Sequence, residues 1–150
     1  MSIQVTATAQ TGYIPTILIF TTETISDPAV DMTGLLHKHY STSTSFIRVR
    51  CSSMIRPDYI LLALQEGFDG VFVAADGTDC PFTENCTTLT GARMQESFEL
   101  LKANGIDPRR LKMAAICSVC VEPFLKHTKT FSELLIKMHN EENETEEVTN

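Results

Sequence analysis

Long apolar runs are missing from this 150-residue chain. The longest early one, Ile17 to Phe20, falls far short of the roughly 20 residues a helix needs to span a bilayer, so membrane insertion is not expected. The N-terminus has no basic segment leading into an apolar stretch, hence no visible secretory signal, and a cytoplasmic location is the expectation. Positive charge is scarce too: 12 Lys and Arg face 19 Asp and Glu, for a net charge of −7. Five of those acids lie in residues 139–150 (HNEENETEEVTN), and setting them aside takes −7 to −2 for the remainder. Affinity for nucleic acid rests mainly on phosphate neutralisation by Lys and Arg, so nucleic acid is disfavoured as a partner. No Gly-rich loop follows an apolar run, which leaves no phosphate cradle; Asp76-Gly77-Thr78-Asp79 is an acidic turn that would repel phosphate, and it either shapes the chain or holds a hard cation. There is no Ser-His-Asp set on a nucleophile elbow, and His37 and His39 stand two apart on an expected helix and so face different ways. A stand-alone enzyme is the least supported reading.

What the chain does have is a regular alternation of strands and helices. With 43% hydrophobic residues it is most simply one globular domain, able to bury about two-thirds of its unfolded surface. Apolar runs at Ile17–Phe20, Phe46–Arg50, Gly70–Ala75 and Leu111–Ile116 read as strands. Helices are expected from Asp27-Pro28 to about Tyr40, from Arg56-Pro57-Asp58 to Gly67, from Leu89 to Ala103, and from Pro123 to Met138. Asp27 suits the cap of the first of these, with Val30, Leu35 and Leu36 as its inward candidates. Arg48 and Arg50 share one face of the second strand, which marks it as an edge strand. Four such units imply an α/β fold: a single open parallel sheet in the order 2-1-3-4, helices on both faces, of Rossmann or flavodoxin type. Residues 1–13 read as an N-terminal arm, 14–138 as the α/β domain and 139–150 as a disordered acidic tail.

All five cysteines fall just past strand ends, where ligands bind in open α/β sheets. Cys80 and Cys86 follow the third strand, and Cys117 and Cys120 the fourth, so these four thiols could meet over neighbouring strands and hold zinc or an iron–sulfur cluster. Cys51, beyond the second strand, is the fifth candidate ligand, with the first strand standing between it and the others. Alternatively Cys117-Ser118-Val119-Cys120 is a thiol–disulfide exchange motif, or the thiols are small apolar core residues.

Residues 14–138 resemble the delta subunit family of methyl-viologen-reducing hydrogenase. The likeness is carried by ILIF, by FIRVRCSSMIRPDYILLALQEGFDGVFVAADGTDCPF and by AR-x6-LLKANGIDPRRL, within which Arg50-Cys51-Ser52, Asp79-Cys80, Arg93 and Gly105-Ile106-Asp107-Pro108 are the most specific pieces. The resemblance implies a small iron–sulfur subunit that links an electron-donating oxidoreductase to a heterodisulfide reductase A-like flavin and iron–sulfur subunit. It also implies a 2Fe–2S cluster held in part by Cys51 and Cys80. The family carries a group of cysteines after the first strand, where this chain has Thr21, Thr22 and Ile25, and another before the Asp-Cys pair, where it has Ala75 and Asp76. The expected role is thus an electron-transfer or docking subunit, relaying electrons if a cluster is retained. The alternatives are a cluster-less structural adaptor, with the arm and the edge strand as docking elements, and a zinc-stabilised small domain.

Overall fold

The computed structural model describes residues 12–149. In chain order the elements are β1 (Ile17–Thr22), α1 (Ser26–Leu35), β2 (Thr44–Val49), α2 (Pro57–Gln65), β3 (Gly70–Ala75), α3 (Cys86–Ala103), β4 (Leu111–Ala115) and α4 (Val121–Val148). Tight 3₁₀ turns lie at Ser52–Met54, Gly77–Asp79 and Pro108–Arg110. The strands form one parallel sheet in the order β2-β1-β3-β4, the α/β topology expected from the alternation. β1 and β3 are buried along their whole lengths, as the unbroken apolar runs ILIF and GVFVAA require of central strands covered on both sides. β2 and β4 alternate buried or half-buried with exposed positions, which suits edges.

The period of two along the strands divides the core into halves. Leu18, Phe20, Val71 and Val73 face Ile60 and Ala63 of α2 and Met94 and Leu101 of α3. Ile17, Ile19, Phe72 and Ala74 face Ala29 of α1 and Phe124, Phe131 and Leu135 of α4. Each large apolar side chain taken from water contributes about 1.5–3 kcal/mol, so these two layers supply most of the drive to fold. Gly70 opens β3 where a side chain has no room: a Cβ there would lie 2.7 Å from Leu135 Cδ1 and from Phe131 Cζ.

Sequence expectation and structure part company at helix boundaries. α1 begins one residue before Asp27 and stops at Leu35 rather than Tyr40, with His37 in the left-handed region at φ 52°. Leu35 and Leu36 point outward, at 73% and 52% exposure, while the small side chains of Ser26, Ala29 and Thr33 take the inward face. Asp27 does not cap the helix; its carboxylate accepts from Thr21 Oγ1 at 2.7 Å and pairs with Arg48 at 3.3 Å. α3 begins at Cys86, a turn before the expected Leu89.

The expected disordered tail is the other difference, because α4 continues through Val148. Its last turns remain exposed, and charge holds them: Arg110 reaches Glu142 at 2.8 Å, and Lys137 pairs with Glu141 one turn on at 3.8 Å. Of the expected arm, residues 1–11 lie outside the described residues, while Tyr13 stacks on His139 of α4 at 3.7 Å. No helix among the described residues is long and apolar enough to cross a membrane.

Candidate metal centre

The order β2-β1-β3-β4 makes the carboxyl ends of β1 and β3 the point where the chain's progress across the sheet reverses, which is where open α/β sheets place ligands. Three loops converge there. After β2 the chain does not rise over its own strand. The Ser52–Met54 turn folds inward against the ends of β1 and β3 and against α3. Two reciprocal backbone-to-side-chain bonds fasten it: Ser52 N–H donates to Asp76 Oδ2 at 3.3 Å, and Asp76 N–H donates to Ser52 Oγ at 3.5 Å. This crossing carries Cys51 over β1, the strand expected to separate it from the other thiols.

Cys51 Sγ consequently lies 3.1 Å from Cys86 Sγ, at the start of α3, and 3.4 Å from Cys80 Sγ, in the loop after β3. Asp76 completes the group, and the donor atoms of Cys51, Asp76, Cys80 and Cys86 all lie within 4.8 Å of one another. Cys51, Asp76 and Cys86 are buried, at 3%, 3% and 1% exposure, and Cys80 is half-buried at the mouth. Hydroxyls surround the sulfurs: Ser53 Oγ is 3.1 Å from Cys51 Sγ, while Ser52 Oγ and Thr90 Oγ1 lie 3.4 and 3.7 Å from Cys86 Sγ. Burial pushes the Cys51 thiol up to about 12, against the pull of Ser53. Burial raises Cys86 as well, but the hydrogen bonds from Ser52, Cys51, Thr90 and Cys80 outweigh it and the net direction is down. Burial and the shared hydrogen bonds thus push the two thiols in opposite directions, Cys51 up and Cys86 down.

One atom here lacks a partner. Asp76 Oδ1 is buried and accepts no hydrogen bond, although Oδ2 of the same carboxylate accepts from Ser52 N–H and from Cys86 Sγ at 3.5 Å. A buried acceptor left unmade costs about 1–3 kcal/mol, and more when charged.

The other two cysteines are elsewhere. Cys117 and Cys120 are joined to each other in a disulfide, so the expected meeting of Cys80, Cys86, Cys117 and Cys120 is not what the structure builds. The reason is the face on which each lies. Cys120 packs with the α1 and α4 layer, whereas Cys86 opens α3, which packs on the opposite face. The family resemblance had put Cys51 with Cys80, but the inward fold of Ser52–Met54 that brings them together carries no sequence signal, and Asp76 belongs to an acidic turn that reads as a turn first and a hard-cation site second. A groove of about 390 Å³ at the opposite edge, lined by residues including His39, Tyr40, Lys129 and Glu133, contains no thiol.

A 2Fe–2S cluster does not fit the donors as they stand. The end of β1, where such a site would draw more thiols, offers Thr21 and Thr22, both fully buried and occupied. Thr22 N–H donates to Ser26 Oγ at 2.7 Å, and Ser26 Oγ donates to Ala74 O at 2.8 Å. The three sulfurs and one carboxylate oxygen of this group, all within 4.8 Å of one another, are gathered like the ligands of one ion rather than spread over two irons.

Comparison with known proteins gives a consistent picture. The family model described as methyl-viologen-reducing hydrogenase, delta subunit, matches residues 17–139. The A-type subunit of the ferredoxin:CoB-CoM heterodisulfide reductase of Methanosarcina mazei is 35% identical over 123 residues, which cover 79% of this chain but only 15% of that protein. An iron-sulfur subunit of the F420-non-reducing hydrogenase of Archaeoglobus profundus is 36% identical over 87 residues, 57% of this chain and 62% of that one. The vhu iron-sulfur subunit of the F420-non-reducing hydrogenase of Methanococcus maripaludis is 28% identical over 125 residues, 83% of this chain and 92% of that one. The chain thus spans about 15% of the length of the heterodisulfide reductase subunits it matches, and most of the length of a free-standing hydrogenase iron-sulfur subunit.

Proposed function

Because the chain belongs to the methyl-viologen-reducing hydrogenase delta subunit family, we propose that it is a non-catalytic subunit of an electron-transfer complex of heterodisulfide-reductase type. It docks an electron-donating oxidoreductase onto a heterodisulfide reductase A-like subunit that carries flavin and iron–sulfur groups. The observation behind this reading is the double occurrence of the module. It matches a segment of a heterodisulfide reductase subunit in one relative and nearly the whole of a hydrogenase subunit in another. A module that is covalently part of the acceptor in one setting, and a separate subunit of the donor in the other, sits between the two.

The carboxyl edge of the sheet supports docking there. Met54, Phe82 and Leu89 expose large apolar side chains on the segments that also carry Cys51, Cys80 and Cys86. Arg50 lies over the Phe82 ring at 5.7 Å, which gives that edge one cationic contact among apolar ones.

A second reading, in which a two-iron cluster makes the subunit an electron relay, is favoured by Cys51 and Cys80, the two thiols at family positions. The donor spacing counts against it. The test is co-purification of the tagged full chain, anaerobically, with a heterodisulfide reductase A-like subunit. A stoichiometric complex that Phe82→Glu or Met54→Glu disrupts, with the free chain's melting temperature unchanged, supports docking at this edge. A chain that stays alone under these conditions contradicts it.

A further inference from the structure

We propose that Cys51, Asp76, Cys80 and Cys86 form a closed site for a single tetrahedral divalent metal ion, zinc, with Asp76 Oδ1 as the fourth ligand. This inference deepens the reading of the same pocket given above, but it does not depend on which complex the chain joins.

The size of the pocket carries the argument. A tetrahedral ion with metal–sulfur bonds of about 2.3 Å holds its ligand atoms about 3.8 Å apart. The sulfur separations of 3.1 and 3.4 Å, and the 4.8 Å bound on the whole group, bracket that spacing. An ion at the centre needs only small outward shifts of the side chains. Apolar collapse alone does not account for the group, since a carboxylate is among its members.

Asp76 is the second, independent observation. Its Oδ2 is held by Ser52 N–H, while Oδ1 is enclosed and unpartnered, and an oxygen of this carboxylate lies within 4.8 Å of the three sulfurs. An anion buried without a counter-charge is costly, and a divalent cation removes that cost. The hydroxyls complete the arrangement. Ser52, Ser53 and Thr90 stand within hydrogen-bonding reach of sulfurs that thiolate formation would charge, and such outer partners orient and tune metal ligands. Ser52 and Thr90 also bond each other at 2.9 Å, so these hydroxyls are themselves held in place.

Three soft thiolates and one carboxylate suit zinc, whose structural sites are four-coordinate and made of protein ligands alone. Here all four positions are filled by the chain, which leaves no open position for substrate. The ion ties the loop after β2, the loop after β3 and the start of α3 into one body. It therefore shapes the apolar edge on which docking is proposed and performs no redox step itself.

The full chain, expressed with iron and zinc both supplied and purified anaerobically, is expected to contain one zinc per chain and no acid-labile sulfide. Replacing zinc by cobalt(II) should give intense tetrahedral ligand-field bands and a thiolate-to-cobalt charge-transfer band of three-sulfur strength. Asp76→Asn should weaken cobalt binding by at least about 100-fold, beyond the 10–100-fold typical of an outer partner, while Asp76→Cys should retain binding and strengthen the charge-transfer band. If Asp76→Asn fails to fold, the metal count and cobalt spectrum of the unsubstituted chain decide. Iron with equimolar sulfide, an absence of bound metal, or unchanged affinity in Asp76→Asn each overturns the proposal. Complex formation, measured on the same preparation, reports separately on the docking role.

Discussion

At the end of β1, Thr21, Thr22 and Ser26 are wholly buried, and their hydroxyls are consumed by one another, by Asp27 and by the Ala74 carbonyl. At the ends of β2 and β3, one strand away on either side, Cys51, Cys86 and Asp76 are buried to nearly the same degree, yet an oxygen of Asp76 has no partner. Both regions lie at the carboxyl edge of the sheet, and they differ in chemistry. The hydroxyl end satisfies itself within the protein, because a hydroxyl both donates and accepts. The thiol end cannot, because sulfur is a weak donor and a carboxylate has no proton to give. One region is complete on its own; the other, on the proposal made above, is completed by a cation.

Removing the metal should give the largest effect that separates the two. With free zinc a hundredfold above its Kd, binding adds about 2.7 kcal/mol, or roughly 8 °C in melting temperature for a chain of this size. A chelator, or Cys51→Ser with Cys86→Ser, should abolish that increment in calorimetry and leave the β1 end unaffected. A smaller and complementary loss is expected at the hydroxyl end. Ser26→Ala strips the buried Thr22 N–H of its acceptor and should cost up to about 3 kcal/mol in denaturant unfolding, with zinc content unchanged. An altered metal content in that variant would show the two regions to be coupled.

The disulfide is a control on the opposite face. Cys117 and Cys120 close a short loop, three apart in sequence, so replacing both by Ser should cost about 2 kcal/mol in a chain-entropy account. Metal content and cobalt spectrum should not change, whereas loss of metal would return these cysteines to the candidate ligand set.

The smallest effect lies at the far edge of the sheet and is read by pH. Burial works to raise Asp69, but bonds from Thr16 and Tyr13 and the charge of Arg110 hold its carboxyl below the ordinary value of 3.8. A group depressed in the folded state contributes stability that is present above the unfolded value and lost as pH falls through the folded one. The native chain should thus lose stability on acidification below about pH 4. Asp69→Asn should flatten that slope in pH-dependent unfolding, and an equally steep slope in the variant would contradict the assignment.

Fold and site were legible to different depths, for a physical reason. ILIF and GVFVAA announce central strands because burial on both faces demands unbroken apolar runs, and 2-1-3-4 was the economical order once Phe46–Arg50 read as an edge. Helix ends were less legible. Leu35 and Leu36 look like core residues until the close approach of α1 admits only Ser26, Ala29 and Thr33. Residues 139–148 look disordered until Arg110 and Lys137 are placed beside Glu142 and Glu141. At the site, strand-end position put the thiols at the carboxyl edge, and the family resemblance named Cys51 and Cys80, but neither gave the full set. Cys80 and Cys86 are local to one loop and were paired from sequence. Cys51 depends on a 3₁₀ turn folding across β1, and Asp76 on burial of one carboxylate in a turn that otherwise resembles any other.

X-ray absorption on the metal bound to the full chain tests the central claim most directly. The account predicts zinc with three sulfur neighbours near about 2.3 Å, one oxygen near about 2.0–2.2 Å, and no metal–metal scattering. An iron edge with an iron–iron vector would contradict it and establish a cluster in its place.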